Sequence, residues 1–234
     1  MKDFFKVISQ NQFFYLLNLF LVLGITLFLC CFSRVEGFMW FNQIHTSALS
    51  AFFEAITFLG DGWFSIILAL LILVSSKKNK ELAFIILLAY LSSGIFSQII
   101  KNLIDSPRPK VYFEIHHLQY YIDTFDTCRI GFRSFPSGHT ASFFALATVF
   151  SNYWKKKQIC ITAIVMSILV GYSRIYLGHH FLIDVLFGAI IGIIFGSLSA
   201  FWANRILANP QIRKKIKKWK QPNGYFPNHP SFNN

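Results

Sequence analysis

Three short stretches of this 234-residue chain hold residue types that can transfer a charged group. The first runs from Tyr172 to Asp184 and contains Ser173, Arg174, His179, His180 and Asp184. His180 and Asp184 are four positions apart, a spacing that puts both on one face of a helix. A carboxylate there takes the proton of one ring nitrogen and leaves the other as nucleophile or base. The adjacent His179 is five positions from Asp184 and points elsewhere on the helix. Arg174 is a permanent, fork-shaped cation suited to a phosphate or carboxylate. The second stretch, Lys101 to Pro109, supplies two more cations, Lys101 and Arg108. The third, Phe135 to Thr140, supplies Ser137, Gly138 and His139. Gly138 lets the backbone approach a ligand closely, and the helix expected from Thr140 onward offers free N–H groups to an anion. Three cations, a helix N-terminus and two histidines suit transfer of a phosphoryl group, where catalysis is mostly positioning and electrostatic stabilisation.

Taken singly, each residue has a plainer reading. A lone Lys or Arg at a helix end is an interfacial anchor that snorkels, and a lone histidine is a satisfied polar group. The joint spacing argues otherwise. Lys101, six residues, Arg108-Pro109; Pro136-Ser137-Gly138-His139; and Ser173-Arg174, five residues, His180, three residues, Asp184 stand in one order along the chain. Together they resemble the signature of the type 2 phosphatidic acid phosphatase (PAP2) superfamily. That resemblance implies a lipid phosphate phosphatase that needs neither metal nor other cofactor. It implies that His180 attacks phosphorus and forms a phosphohistidine, that Asp184 orients it, and that His139 protonates the leaving oxygen and then activates water. Lys101, Arg108, Ser137, Gly138 and Arg174 are the implied substrate-binding residues.

The elements that must position these residues are membrane helices. The chain is 54% hydrophobic and 18% aromatic, only 14% charged, and has a mean hydropathy of +0.49. That composition excludes an ordinary soluble domain and describes an all-α, polytopic membrane protein. The net charge of +12 gathers at the ends of apolar runs and in the C-terminal tail, which argues for membrane topology and against a nucleic-acid partner. Cys30, Cys31, Cys128 and Cys160 show no metal-binding spacing. Cys128 is read as an unpaired thiol, with Cys30 or Cys31 as the alternative partner. His116-His117 lacks further ligands at a recognisable spacing.

Six spanning helices are expected, from Phe13–Phe32, Trp63–Val74, Leu82–Ile100, Thr140–Trp154, Ile159–Leu177 and Phe181–Ala203. The first is read as a retained helix, not a cleaved signal, since no small-residue site follows it. Arg34 to Phe58 reads as an interfacial amphipathic helix with His45 and Glu54 on its solvated face. Gly60-Asp61-Gly62 marks a turn. Pro107 and Pro109 are expected to stop any helix, leaving Lys110 to Phe135 as a loop that shapes substrate choice. Its aromatic and basic character would suit a large headgroup such as lipid A. Gly188, Gly192 and Gly196 form a helix-packing ladder. Residues 1–209 form one membrane domain. Residues 210–234 form a basic, disordered cytoplasmic tail.

Six helices leave both termini on one side. The lysines at 2, 6, 77, 78, 80 and 155–157, together with the basic tail, make that side cytoplasmic. The three motifs then open on the outer, periplasmic face of the inner membrane. The expected function is hydrolysis of a membrane lipid phosphate: undecaprenyl diphosphate, phosphatidylglycerol phosphate, phosphatidate or lipid A phosphate. The alternative is a non-catalytic phospholipid-binding or transport protein on the same scaffold. Pure binding needs the cations but has no use for His180 with its orienting carboxylate.

Overall fold

The apolar runs become helices because their backbone polar groups have no water to turn to within a bilayer and must be satisfied inside each segment. The computed structural model describes residues 2–75, 79–116 and 128–208. Lys77, Lys78, His117, much of the expected specificity loop and the whole basic tail lie outside the described residues. Among the described residues ten helices follow one another: α1 (Lys2–Ser9), α2 (Gln12–Cys31), α3 (Arg34–Phe41), α4 (Ser47–Phe58), α5 (Gly62–Ser75), α6 (Lys80–Leu103), α7 (Pro109–Ile115), α8 (Gly138–Trp154), α9 (Lys157–Tyr176) and α10 (Leu182–Ala208).

Four of these, α2, α6, α9 and residues Leu182–Ala203 of α10, are long and apolar enough to cross a membrane. The bent pair α4 and α5, with 52° between them, passes the same test when taken together. Alone, α5 has 14 residues and α8 has 17. At ~1.5 Å per residue those are roughly 21 and 26 Å, short of a hydrocarbon core of about 30 Å.

Two expectations between the spans need correcting. Arg34 to Phe58 is not one amphipathic helix. Ser33 opens α3 with a capping box, its hydroxyl accepting from Glu36 N–H while the Glu36 carboxylate accepts from Ser33 N–H. Thr46 caps the separate α4. Nor does Pro109 stop a helix. It starts α7 at its first turn, where a missing N–H costs nothing and a fixed φ is already helical.

The main apolar core, with Ala69, Leu82, Ile86, Leu146, Val149 and Val170 buried together, joins α5, α6, α8 and α9, and α10 packs closely against α8. A Cβ on Gly192 would stand 2.5 Å from the Ala141 carbonyl oxygen and 2.5 Å from Phe144 Cβ; one on Gly196 would stand 2.7 Å from the Ala145 carbonyl oxygen; one on Gly188, 2.6 Å from that of Ser137. The glycine ladder therefore brings α10 backbone to backbone with α8, as expected from its spacing. A second apolar cluster of Phe38, Phe113, Ile175, Phe181, Leu182 and Val185 joins α3, α7, α9 and α10 around the motif end of the bundle.

At the opposite end, polar side chains tie the N-terminal segment to the far end of α8 and to α10. Asn11 Nδ2 donates to Asn152 Oδ1 at 3.3 Å, and Asn152 Nδ2 donates to the Tyr15 hydroxyl at 2.8 Å. That hydroxyl is 2.7 Å from Ser197 Oγ. The N-terminus and the motifs thus stand at opposite ends of the bundle.

Candidate active site

All three motifs meet at one end of the bundle. Lys101 ends α6, Arg108 caps α7, Ser137 caps α8, Arg174 lies in the last turn of α9 and Asp184 in the first turn of α10. An open cleft of about 450 Å³ receives Lys101, Arg108, Gly138, His139, Arg174 and His180. Gln98, Arg129, Arg133 and the intervening loop complete its wall.

His180 is set by the turn between α9 and α10. The backbone N–H groups of His179 and His180 both donate to the Arg174 carbonyl, at 3.0 and 3.1 Å. Gly178 adopts φ +67°, which lets the chain reverse there. His180 therefore precedes α10 instead of lying on it, and the expected shared helical face is replaced by a turn that reaches the same partner. His180 Nδ1 stands 3.4 Å from Asp184 Oδ2. The carboxylate is fully buried and His180 is 3% exposed. Asp184 Oδ2 also accepts the Phe181 N–H at 3.0 Å.

A third partner has no place in the motifs. Ser134 donates its hydroxyl to Asp184 Oδ2 at 2.5 Å, and Ser134 Oγ is itself 3.3 Å from His180 Nδ1. Two acceptors thus face Nδ1, which favours the tautomer protonated there. The other ring nitrogen, Nε2, is left for the cleft. Burial first, then Arg174, Lys101 and Arg108, hold the His180 imidazole well below its ordinary pKa of 6.5. It is neutral at neutral pH, as a nucleophile must be.

Arg174 is 2% exposed. Its Nη1 donates to Thr57 Oγ1 of α4 at 2.6 Å, and its Nε has no partner among the described residues. A buried guanidinium with donors to spare is arranged for an anion in the cleft. Lys101 Nζ donates to the carbonyls of Arg133 and Ser134, at 2.8 and 3.4 Å, leaving one of its three protons for a ligand. Arg108 Nη1 donates to the His179 carbonyl at 2.9 Å. Burial is the first cause, and Arg129 the second, of a lowered Arg108 pKa.

Ser137 does not line the cleft. Its buried hydroxyl accepts from Thr140 Oγ1 at 2.8 Å and caps α8, while its N–H donates to the Asp184 carbonyl at 2.9 Å. Gly138 does face the cleft, and a Cβ there would meet nothing within 4 Å. The corner between α4 and α5 closes on His139, since a Cβ on Gly60 would stand 2.9 Å from the His139 carbonyl oxygen.

Residues away from the cleft take other roles. His45 stacks on Tyr176 with centroids 4.4 Å apart. The four cysteines form no disulfide, and the Cys128 thiol donates to the Gly178 carbonyl at 3.5 Å. No group of three or more His, Cys, Asp or Glu placed to hold a metal occurs among the described residues.

The PAP2 superfamily model matches residues 82–207, a span that includes every motif residue in the cleft. The chain belongs to the PAP2 superfamily. Among PAP2 relatives, a lipid A 4'-phosphatase of Porphyromonas gingivalis is 31% identical over 164 residues, 68% of this chain and 68% of its own length. An undecaprenyl-diphosphatase of Bacillus subtilis is 26% identical over 66% of this chain and 75% of its own. The crystal structure of Aquifex aeolicus LpxE superposes with a TM-score of 0.61 at 32% identity, covering 71% of this chain and 93% of that one. A PAP2-type phosphatidylglycerolphosphate phosphatase of Bacillus subtilis shares the fold, with a TM-score of 0.60 at 23% identity over 86% of this chain and 98% of that one. This PAP2 chain is an enzyme of the phosphatase class.

Proposed function

We propose that the protein is an integral membrane lipid phosphatase that hydrolyses a phosphomonoester or diphosphate through a phosphohistidine on His180. The observation that carries this is the placement of His180, its Nδ1 held by Asp184 and Ser134 and its other side on a cleft lined by Lys101, Arg108 and Arg174.

In the first step the Nε2 lone pair attacks phosphorus and the P–O bond to the leaving oxygen breaks. His139 gives that oxygen its proton, and Asp184 stabilises the charged imidazole. In the second step His139 takes a proton from water as it attacks the same phosphorus. The P–N bond breaks, free phosphate leaves and neutral His180 returns. Lys101, Arg108, Arg174 and the N–H groups at the start of α8 stabilise the non-bridging oxygens. Charge stabilisation by these groups predicts turnover in EDTA.

The candidate substrates are those in the names of the relatives: a lipid A phosphate, undecaprenyl diphosphate and phosphatidylglycerol phosphate. Phosphatidate, expected from the superfamily resemblance, completes the set. Six crossings, with α5 and α8 counted, place the N-terminus and the site on opposite sides. Lysine distribution then makes the N-terminal side cytoplasmic and the cleft periplasmic, in the inner membrane. The test is phosphate release by the detergent-solubilised protein from each of the four lipids, with EDTA and beside a His180→Ala control. Release lost in the control supports the reading, and equal release by both overturns it.

A further inference from the structure

The cleft carries more positive charge than a single transferred phosphoryl group uses. Lys101, Arg108 and Arg174 belong to the motifs, but Arg129 and Arg133 do not, and both line the same cleft. Among the described residues no carboxylate lines it: Asp184 lies behind His180, engaged with Ser134, Phe181 N–H and the imidazole. Five cations therefore face a monoester dianion of about −1.5 to −2.

The segment from Gly131 to Ser134, which carries Arg133 and follows Arg129, is held against the motif segments by backbone contacts. The Arg133 carbonyl accepts from Lys101 Nζ at 2.8 Å, the Gly131 carbonyl accepts from Arg108 N–H at 3.0 Å, and Ser134 N–H donates to the Ser106 carbonyl at 2.9 Å. Arg133 itself sits at φ +60°, a conformation that a non-glycine residue keeps only where its surroundings impose it. Arg129 is near enough to Arg108 to depress its pKa, second only to burial. Like charges at that range are costly unless an anion lies between them.

We propose that Arg129 and Arg133 form a second anion subsite for the phosphoryl group next to the one transferred, so that the protein prefers a lipid diphosphate to the matching monophosphate. The proposal rests on the phosphatase reading above and deepens it. The terminal phosphoryl group lies among Lys101, Arg108 and Arg174, where His180 attacks it. The P–O bond to the bridging oxygen breaks, and the lipid monophosphate departs with that oxygen protonated by His139. Arg129 and Arg133 hold the departing phosphoryl group. A cleft of about 450 Å³ is within the range of small-molecule sites, with room beyond a single phosphoryl group.

The test compares kcat/KM for farnesyl diphosphate and farnesyl monophosphate, in EDTA, for the parent protein and the double variant R129Q/R133Q. The parent is expected to favour the diphosphate at least about tenfold, and the variant to lose at least about tenfold of that ratio, as fits loss of charge-assisted hydrogen bonds. A parent ratio near one, or a variant ratio unchanged from the parent's, overturns the subsite. A second readout needs no turnover: the rise in Tm given by inorganic pyrophosphate against that given by equal inorganic phosphate. The subsite predicts a larger rise with pyrophosphate in the parent and equal rises in the variant. Equal rises in the parent overturn it even if the protein hydrolyses lipids. A pyrophosphate preference without any lipid hydrolysis retains the subsite and removes the phosphatase reading.

Discussion

Ser134 and Asp184, 50 positions apart in sequence, are joined by a 2.5 Å hydrogen bond in which the serine hydroxyl donates to carboxylate Oδ2. The same hydroxyl oxygen stands 3.3 Å from Nδ1 of His180, so a residue outside the motifs touches both the proposed nucleophile and the carboxylate beside it. Ser134→Ala removes one acceptor from Nδ1 and one donor from Asp184 while leaving the Phe181 N–H in place. We expect kcat to fall about tenfold, with KM within about twofold, because the lost interaction orients His180 and does not touch substrate. Steady-state kinetics on any hydrolysed lipid checks this; a rise in KM at unchanged kcat would assign Ser134 to substrate binding instead.

The depressed pKa of His180 has a definite sign. Its folded value lies below the unfolded value of about 6.5, so the unfolded chain takes up the proton first. The stability linked to this residue is fully present above about pH 6.5 and is lost as the pH falls. In the proposed mechanism the neutral ring is the reactive form. The acid limb of kcat/KM should therefore lie below pH 6.5, read from a profile in which thermal stability is measured alongside. An acid limb above that value would mean a protonated His180 in the resting enzyme.

The close approach of α8 and α10 predicts a steep cost at Gly192. Gly192→Val drives its side chain into the Ala141 carbonyl and Phe144 Cβ, each 2.5 Å from the position of a Cβ there. Overpacking of this kind costs about 1–3 kcal/mol or more, and Tm in detergent should drop by several degrees. Gly24→Ala is the control, since a Cβ there meets nothing within 4 Å and Tm should hold or rise slightly.

Much of this arrangement is legible in the sequence, and what is not has physical causes. Arg174, His180 and Asp184 are within eleven positions, so their closeness is legible, although His180 stands on a turn and not on the helical face that the four-residue spacing suggests. The Gly188, Gly192 and Gly196 repeat gives the packing face of α10 directly. Ser134 and Thr57 carry no such signal. Each reaches its partner across the fold, at separations of 50 and 117 positions, and a lone hydroxyl in a polar or apolar run looks the same whether or not it meets a carboxylate or a guanidinium. Pro109 shows a different limit. The same residue that ends a helix from within begins one at its first turn, and only the chain after it decides which. The pairing of α5 with α4 is likewise hidden, because Gly60 and Asp61 mark a break without fixing the 52° bend at which the two helices meet.

Orientation has its own test. A periplasm-active reporter fused after Lys220 should stay silent, while one fused after Lys110 should be active. The reverse pattern would move the cleft to the cytoplasmic side.

The central claim is that His180 carries the phosphoryl group. Rapid-quench single turnover with a lipid radiolabelled in its phosphate, in EDTA, addresses it most directly. Transfer through His180 predicts an acid-labile, alkali-stable label on the parent protein that forms before free phosphate appears, and neither label nor release from His180→Ala. Phosphate release from that variant at the parent rate would contradict it.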